Sequence, residues 1–194
     1  TSNRSKRRPR IALPCSPTVG GKSGAALRRP AGTVQGRIER SKVGEANVVD
    51  AIQRLGAVVG GEGNGGVIDP RIVLGRDSHI GMALVLELLA TSGEPLSQLV
   101  KAIPVYAIHK EKIALDRTGV TAAIARVRSA GFAANAHADD RDGLKLSWPD
   151  RWVHLRASGT EPVSRIISEA PTADHARELA NSVRVVTGAA LVEH

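Results

Sequence analysis

At 194 residues, 42% of them hydrophobic but only 2% aromatic, the chain has enough apolar mass for one large domain or two small ones, with a core built from Val, Leu, Ile and Ala. A single cysteine, Cys15, excludes an internal disulfide, and six scattered histidines without a cysteine partner argue against a structural zinc site. The formal net charge of +8 is unevenly placed: residues 1–42 hold 11 Lys and Arg against one acid, Glu39, and the remainder is slightly acidic.

Residues 1–33 mix Arg, Pro, Gly and Ser with little apolar periodicity and read as a basic, disordered arm. Such an arm binds phosphate backbones non-specifically, but no aromatic in the first 42 residues is present to stack on bases, so a solvated tail is the preferred reading and nucleic acid a disfavoured partner. "GGKS" within it fails as a phosphate loop, because Ser16, between Pro14 and Pro17, stands where the first glycine belongs.

From Val34 the pattern is orderly. "VQGRIER" alternates like a strand, and "GEANVVDAIQRLG" puts Val48, Val49, Ile52 and Leu55 on one helical face with Gly56 as the stop. Ala57 to Val59 reads as a short strand leading into "GGEGNGG". That loop matches G-x-G-x-x-G through Gly61, Gly63 and Gly66, yet Pro70 falls where a dinucleotide-binding helix should follow. "DSHIGMALVLELLATSG" is a strongly apolar helix capped by Asp77 or Ser78 and stopped at Gly93; "PLSQLVKAI" is a second helix, broken at Pro104. The longest apolar run, "MALVLELLA", is interrupted by Glu87 and is too short to span a membrane; with no signal-like segment, a cytoplasmic location is expected.

Beyond Pro104 the order changes to a helix near Thr121–Ala130, a polar turn at "AHADDRDG" with Asp142-Gly143 as a hairpin signal, three short strands, and a last helix capped by Thr172 and closed by Gly188. The expected organisation is an arm (1–33), a partial α/β domain (34–103), a linker (104–112) and an α+β domain with a small, mainly antiparallel sheet (113–194). Between two of its strands, "RASGTEPVSR" offers the donors a phosphate needs: the Arg156 guanidinium, the Ser158 and Thr160 hydroxyls, and backbone N–H groups around Gly159, with Arg165 alternating back toward the same side.

"GGEGNGG" and "RASGTEP", 94 residues apart from Glu62 to Arg156, together resemble the α-D-phosphohexomutase superfamily of phosphoglucomutase, phosphomannomutase and phosphoglucosamine mutase. "KVGEANVVDAI" and "LGRDS" look like the surroundings of its third-domain loop, and the resemblance runs from about residue 36 to the end. It implies four domains, the third with a sugar-binding loop G-E-x-S/N-G and the fourth with a phosphate-binding loop R-x-S-G/N-T-E-P. Carried over, Glu62 and Asn64 face sugar hydroxyls, and Arg156, Ser158, Gly159, Thr160 and Arg165 hold a hexose phosphate; carboxylate and amide are chemically suited to vicinal hydroxyls.

The resemblance also implies reversible phosphoryl movement between C1 and C6 of a hexose, through a phosphoserine in domain one and Mg²⁺ on a D-x-D-x-D-R loop in domain two. This chain carries neither motif, and "ADDRD" (Ala138–Asp142) reads as a solvated turn, so no ligands for Mg²⁺ and no turnover by the chain alone are expected. The first part of domain three is expected to be missing, with the N-terminal domains as partners. Gly66 stands where many members have histidine, so no histidine acid/base role carries over. The rival readings are a non-catalytic sugar-phosphate-binding module or gene remnant, and a nucleic-acid-associated protein using its arm.

Overall fold

The computed structural model describes residues 10–14, 26–29, 32–35, 37–101 and 103–192. They fall into two compact units that part between Ile103 and Pro104.

The first unit has a four-stranded sheet in the order β4-β1-β5-β6, built from β1 (Arg10–Pro14), β4 (Arg37–Ser41), β5 (Val59–Gly61) and β6 (Val67–Ile68), with a separate antiparallel pair, β2 (Ala26–Arg29) and β3 (Gly32–Gln35). β1 runs parallel to both β4 and β5, Ile11 opposite Ile38 on one side and Val59 on the other. Residues 1–33, read from composition as an arm without regular structure, thus contain strands. The physical reason is local: Ile11-Ala12-Leu13 is apolar enough for a short strand once flanking strands exist, and averaging over a basic, Pro-rich segment hides it. "GGKS" and Cys15 lie outside the described residues.

Helix α1 (Glu45–Leu55) closes on Gly56 at φ 61°, a left-handed cap that glycine takes without strain. Its Val48, Ala51 and Ile52 pack with Ala57 and Ile68 into the core of this unit. α2 (Ser78–Ser92) is capped by Asp77, whose side chain accepts from the N–H groups of His79 and Ile80, and it ends on left-handed Gly93. It packs on β6, but Met82, Val85, Leu86 and Leu88 stay exposed. A helix apolar on every side leaves part of that surface in water when it lies against a single layer. α3 (Leu96–Lys101) follows.

The second unit is a two-layer sandwich. Five antiparallel strands run in the order β7-β11-β10-β9-β8: β7 (Ala107–Ile113), β8 (His137–Asp139), β9 (Leu144–Ser147), β10 (Trp152–Ala157) and β11 (Ser164–Ala170). Helices α4 (Arg117–Ser129) and α5 (Ala173–Thr187) cover one face. Ile113, Leu144, Leu146, Val153, Leu155 and Ile166 point to those helices and meet Val120, Val127 and Val183 there. Two serines on the buried side of β11 are satisfied by main chain, Ser164 donating to Leu115 O at 2.8 Å and Ser168 to Ala176 O at 2.6 Å.

Two expectations are corrected in this unit. Residues 104–112 are not a linker: β7 occupies most of that stretch and pairs with β11 along seven positions, from Ser164 opposite Ile113 to Ala170 opposite Ala107. Its mixed pattern of charged and apolar residues, typical of an edge strand, conceals it from periodicity. The expected three strands are therefore five.

Candidate functional site

The glycine loop joins β5 to β6 as an antiparallel hairpin, with Gly60 opposite Ile68 and Gly61 opposite Val67. Helix α2 begins only at Ser78, after β6 and a further turn, so the loop does not run directly into a helix as the dinucleotide-binding pattern requires. Glu62 N–H donates to Gly66 O at 2.9 Å and Gly65 N–H to Glu62 O at 3.1 Å, while Gly65 takes a φ of 90° that favours glycine. Asn64 is exposed, and its Oδ1 accepts from Gly66 N–H at 3.0 Å. The Glu62 side chain is only 11% exposed, because Arg76 lies over it with Nε 3.3 Å from Oε2.

Arg76 is the residue that sequence reasoning missed here. Its Nε donates to Glu45 Oε2 at 2.7 Å and its backbone N–H to Glu45 Oε1 at 2.8 Å, and those two hydrogen bonds hold the Glu45 carboxyl below its usual range. Gly66 makes room for it: a Cβ there would lie 2.5 Å from Arg76 Cδ. The result is an open cleft of about 960 Å³ lined by Asn64, Gly66, Arg76 and Asp77 on one side and Met82 and Leu86 of α2 on the other.

The second unit carries the other loop at one end of its sheet, between β10 and β11. Arg156 and Arg165 sit directly opposite each other on β10 and β11. Because their neighbours Leu155 and Ile166 face the helices, alternation turns both arginines to the face away from the helices. The Ser158-Gly159-Thr160 turn connects the same two strands. Ser158 N–H donates to Val163 O at 2.8 Å, and Ser158 Oγ accepts from the N–H groups of Thr160 and Glu161 at 3.4 and 3.3 Å. Those two N–H groups are thus engaged by the serine and not free, as the sequence alone suggested. Gly159 and Thr160 are exposed, with no atom within 4 Å of where a Gly159 Cβ would stand. The Nε atoms of Arg156 and Arg165 are buried without an acceptor, two cationic donors that are costly to leave unmade.

Three further groups shape this loop. Asp142 Oδ2 lies 3.6 Å from Arg156 Nη1, and Gly143, at φ 79°, packs so tightly that a Cβ would sit 2.3 Å from Leu155 O and 2.9 Å from Arg156 Cα. The stretch read as a solvated turn is therefore ion-paired and braces β10: Asp139 engages Arg141, Asp140 engages Arg128, and Asp142 reaches Arg156. Glu161 spans Lys112 at 3.3 Å and Arg165 at 3.2 Å, and the hydrogen bonds from Lys112 and then Arg165 pull its carboxyl below the usual range. With its aspartates committed to arginines, this turn does not fit Mg²⁺, and no group of three His, Cys, Asp or Glu among the described residues converges as a metal site.

His154 lies two residues before Arg156 on β10 and on the same face. It is fully buried, Nε2 lies against the Asp142 carbonyl, which can only accept, and Nδ1 has no partner. Burial pushes its pKa below the ordinary value of about 6.5, offset in part by the Asp142 carbonyl. Native His154 stays neutral where the unfolded chain takes up a proton. Its stabilising contribution is complete above pH ~6.5 and is lost as pH falls from there toward the native pKa. Thermal unfolding between pH 8 and pH 5 is expected to show a loss of up to about 1.4 kcal/mol per pH unit below 6.5. His154→Gln should remove that part of the slope; an unchanged slope in the variant would show the imidazole to be uninvolved.

Comparison with known proteins follows the two units. Residues 21–106 match the family model of phosphoglucomutase/phosphomannomutase, alpha/beta/alpha domain III, and residues 110–185 match that of the phosphoglucomutase/phosphomannomutase C-terminal domain. A phosphoglucomutase/phosphomannomutase of Thermococcus kodakarensis is 40% identical over 145 residues, 73% of this chain and 31% of that protein. A probable phosphoglucosamine mutase of Methanopyrus kandleri is 36% identical over 144 residues, 74% of this chain and 32% of that protein. The crystal structure of a phosphoglucomutase/phosphomannomutase family protein from Burkholderia thailandensis shares the fold, with a TM-score of 0.67 over 94% of this chain and 39% of that one at 21% identity. The chain spans about a third of the length of the curated relatives it matches. By both domain models, and in the order expected from its two loops, the chain belongs to the phosphoglucomutase/phosphomannomutase family and carries that family's domain III followed by its C-terminal domain.

Proposed function

We propose that these two domains bind a hexose phosphate for a phosphohexomutase that moves a phosphoryl group reversibly between C1 and C6. The observation that carries this reading is the pair of arginines opposite one another beside a hydroxyl-bearing turn, each with a buried Nε that lacks an acceptor. A tetrahedral phosphate is an acceptor on every side and suits two guanidinium forks at the separation of directly paired residues. Arg156 and Arg165 supply the charge, Thr160 and Gly159 present the exposed rim of the turn, and Ser158 holds it in shape. Glu62 and Asn64 take the sugar hydroxyls, Asn64 from the wall of the cleft and Glu62 in the orientation set by Arg76. Anchoring the phosphate that does not react fixes the ring relative to the one that does, and positioning of this kind lowers a barrier by several kcal/mol. In this scheme Mg²⁺ supplies charge neutralisation at the reacting phosphoryl group from outside the residues described.

The test is an amide chemical-shift titration of the 194-residue chain with glucose 6-phosphate, inorganic phosphate and glucose. Glucose 6-phosphate should shift Ser158, Gly159 and Thr160 together with Gly63 to Gly66; inorganic phosphate should shift only the first group. Glucose should move only the glycine loop, weakly. A chain whose Ser158 turn ignores both phosphates does not have this function.

A further inference from the structure

The register of the sheet adds a member to the site that no motif contains. Arg165 is paired directly with Arg156 on one side and with Lys112 of β7 on the other, so three adjacent strands place Arg156, Arg165 and Lys112 in one row. Ile113, next to Lys112, faces the helices; Lys112 therefore shares the opposite face with the two arginines. Like charges directly opposite on neighbouring strands destabilise a sheet, and here three stand side by side. The two ends of the row have different counter-ions. Asp142, which serves Arg156, comes from the turn that braces β10. Glu161 comes from the phosphate loop itself, three residues after Ser158, is exposed, and gives one carboxylate oxygen to Lys112 and the other to Arg165.

A carboxylate that bridges two cations with two oxygens occupies them much as two phosphate oxygens would. We propose that Lys112 is a third phosphate-binding cation of the Ser158 loop and that Glu161 is its built-in counter-ion, which holds Lys112 and Arg165 in the row and swings out when a phosphate takes its place. This rests on the phosphate reading of the loop. Lys112 is suited to the role: its side chain is 27% exposed, so its ammonium is within reach of solvent while its stem is packed. Glu161, on an exposed turn, can leave at small cost. With three cations against Asp142 and Glu161 the row holds an excess positive charge, which a dianion in place of Glu161 removes, so binding favours dianions over single carboxylates.

The experiment titrates inorganic phosphate and glucose 6-phosphate into the full chain and its Lys112→Gln, Glu161→Gln and double variants, following the Ser158, Gly159 and Thr160 amides. Lys110→Gln serves as the charge control. Lys110 lies two residues along the same strand, on the same face and exposed, opposite Ile167 instead of an arginine. Glu161→Gln is expected to tighten phosphate binding about three- to tenfold by removing the competitor, and Lys112→Gln to weaken it by a similar factor, with the double variant between them. Lys110→Gln should change affinity less than twofold. Weaker or unchanged binding by Glu161→Gln overturns the counter-ion role. An unaffected Lys112→Gln, or a Lys110→Gln that loses as much, overturns the third cation. If neither the parent nor Glu161→Gln binds phosphate, the phosphate reading of the loop fails first and this inference falls with it; binding that is indifferent to these substitutions leaves the reading standing and removes only the inference.

Discussion

Arg156→Ala is expected to weaken glucose 6-phosphate binding by about 10- to 150-fold, equivalent to roughly 1.5–3 kcal/mol. The parent affinity should itself be modest, about millimolar, since a single phosphate contact has little buried area to offset the lost translational freedom. Two losses combine in the variant: the charge-assisted donor disappears, and Asp142, which now faces Arg156 at 3.6 Å, no longer has that guanidinium to offset its charge beside the incoming phosphate. Adding Asp142→Asn to Arg156→Ala should therefore recover part of the affinity. Arg156→Lys should also recover only part, because a point charge cannot reproduce a planar fork fixed by its neighbours. Isothermal titration or the amide shifts of the Ser158 turn provide the measurement. Arg156→Ala that binds as well as the parent would reduce the loop to an ordinary turn.

The largest effect on stability is expected from Gly143→Ala. Gly143 sits at φ 79°, where a side chain costs about 1–2 kcal/mol in backbone strain alone. The added Cβ would also stand 2.3 Å from Leu155 O and 2.9 Å from Arg156 Cα, both backbone atoms in the middle of a paired strand that cannot give way cheaply. Strain and overpacking together should cost at least about 2–3 kcal/mol and lower the melting temperature of the C-terminal unit by roughly 10–20 °C. Phosphate binding should fall as well, since any relief displaces β10 at Arg156. Gly159→Ala is the matched control: no atom lies within 4 Å of its would-be Cβ and its φ is not in the left-handed region, so stability should change by less than about 0.5 kcal/mol. Differential scanning calorimetry of the two variants separates the cases; equal melting temperatures would mean the hairpin yields more readily than its geometry implies.

Much of the fold was legible because its signals are local. Gly56, Gly93 and Gly188 each end a helix in the left-handed conformation, and Asp77 and Thr172 each cap one, all within a few residues of the pattern that announces them. The glycine and Ser158 loops were identifiable as motifs, and with them the family and the α/β-then-α+β order of its domains. The strands escaped where their character depends on neighbours. β1 is a three-residue apolar island in a basic segment and becomes a strand only between β4 and β5. β7 alternates poorly as an edge strand and is defined by pairing with β11.

By itself, then, the sequence determined most helix ends, the two loops and the residue types they present, because caps, turns and motifs act over a handful of positions; α4, expected from Thr121, instead starts at Arg117 under an Asp116 cap. Tertiary structure alone decided what those residues meet. Glu45 and Arg76 are 31 positions apart and share two hydrogen bonds; Lys112 and Glu161 are 49 apart and share an ion pair; Asp142 reaches Arg156 because a tight glycine turn folds against β10. Strand register is the physical reason. It is set by which face of each strand must be buried, a non-local condition, and a slip of one residue would send Lys112, Arg165 and Arg156 to opposite sides of the sheet.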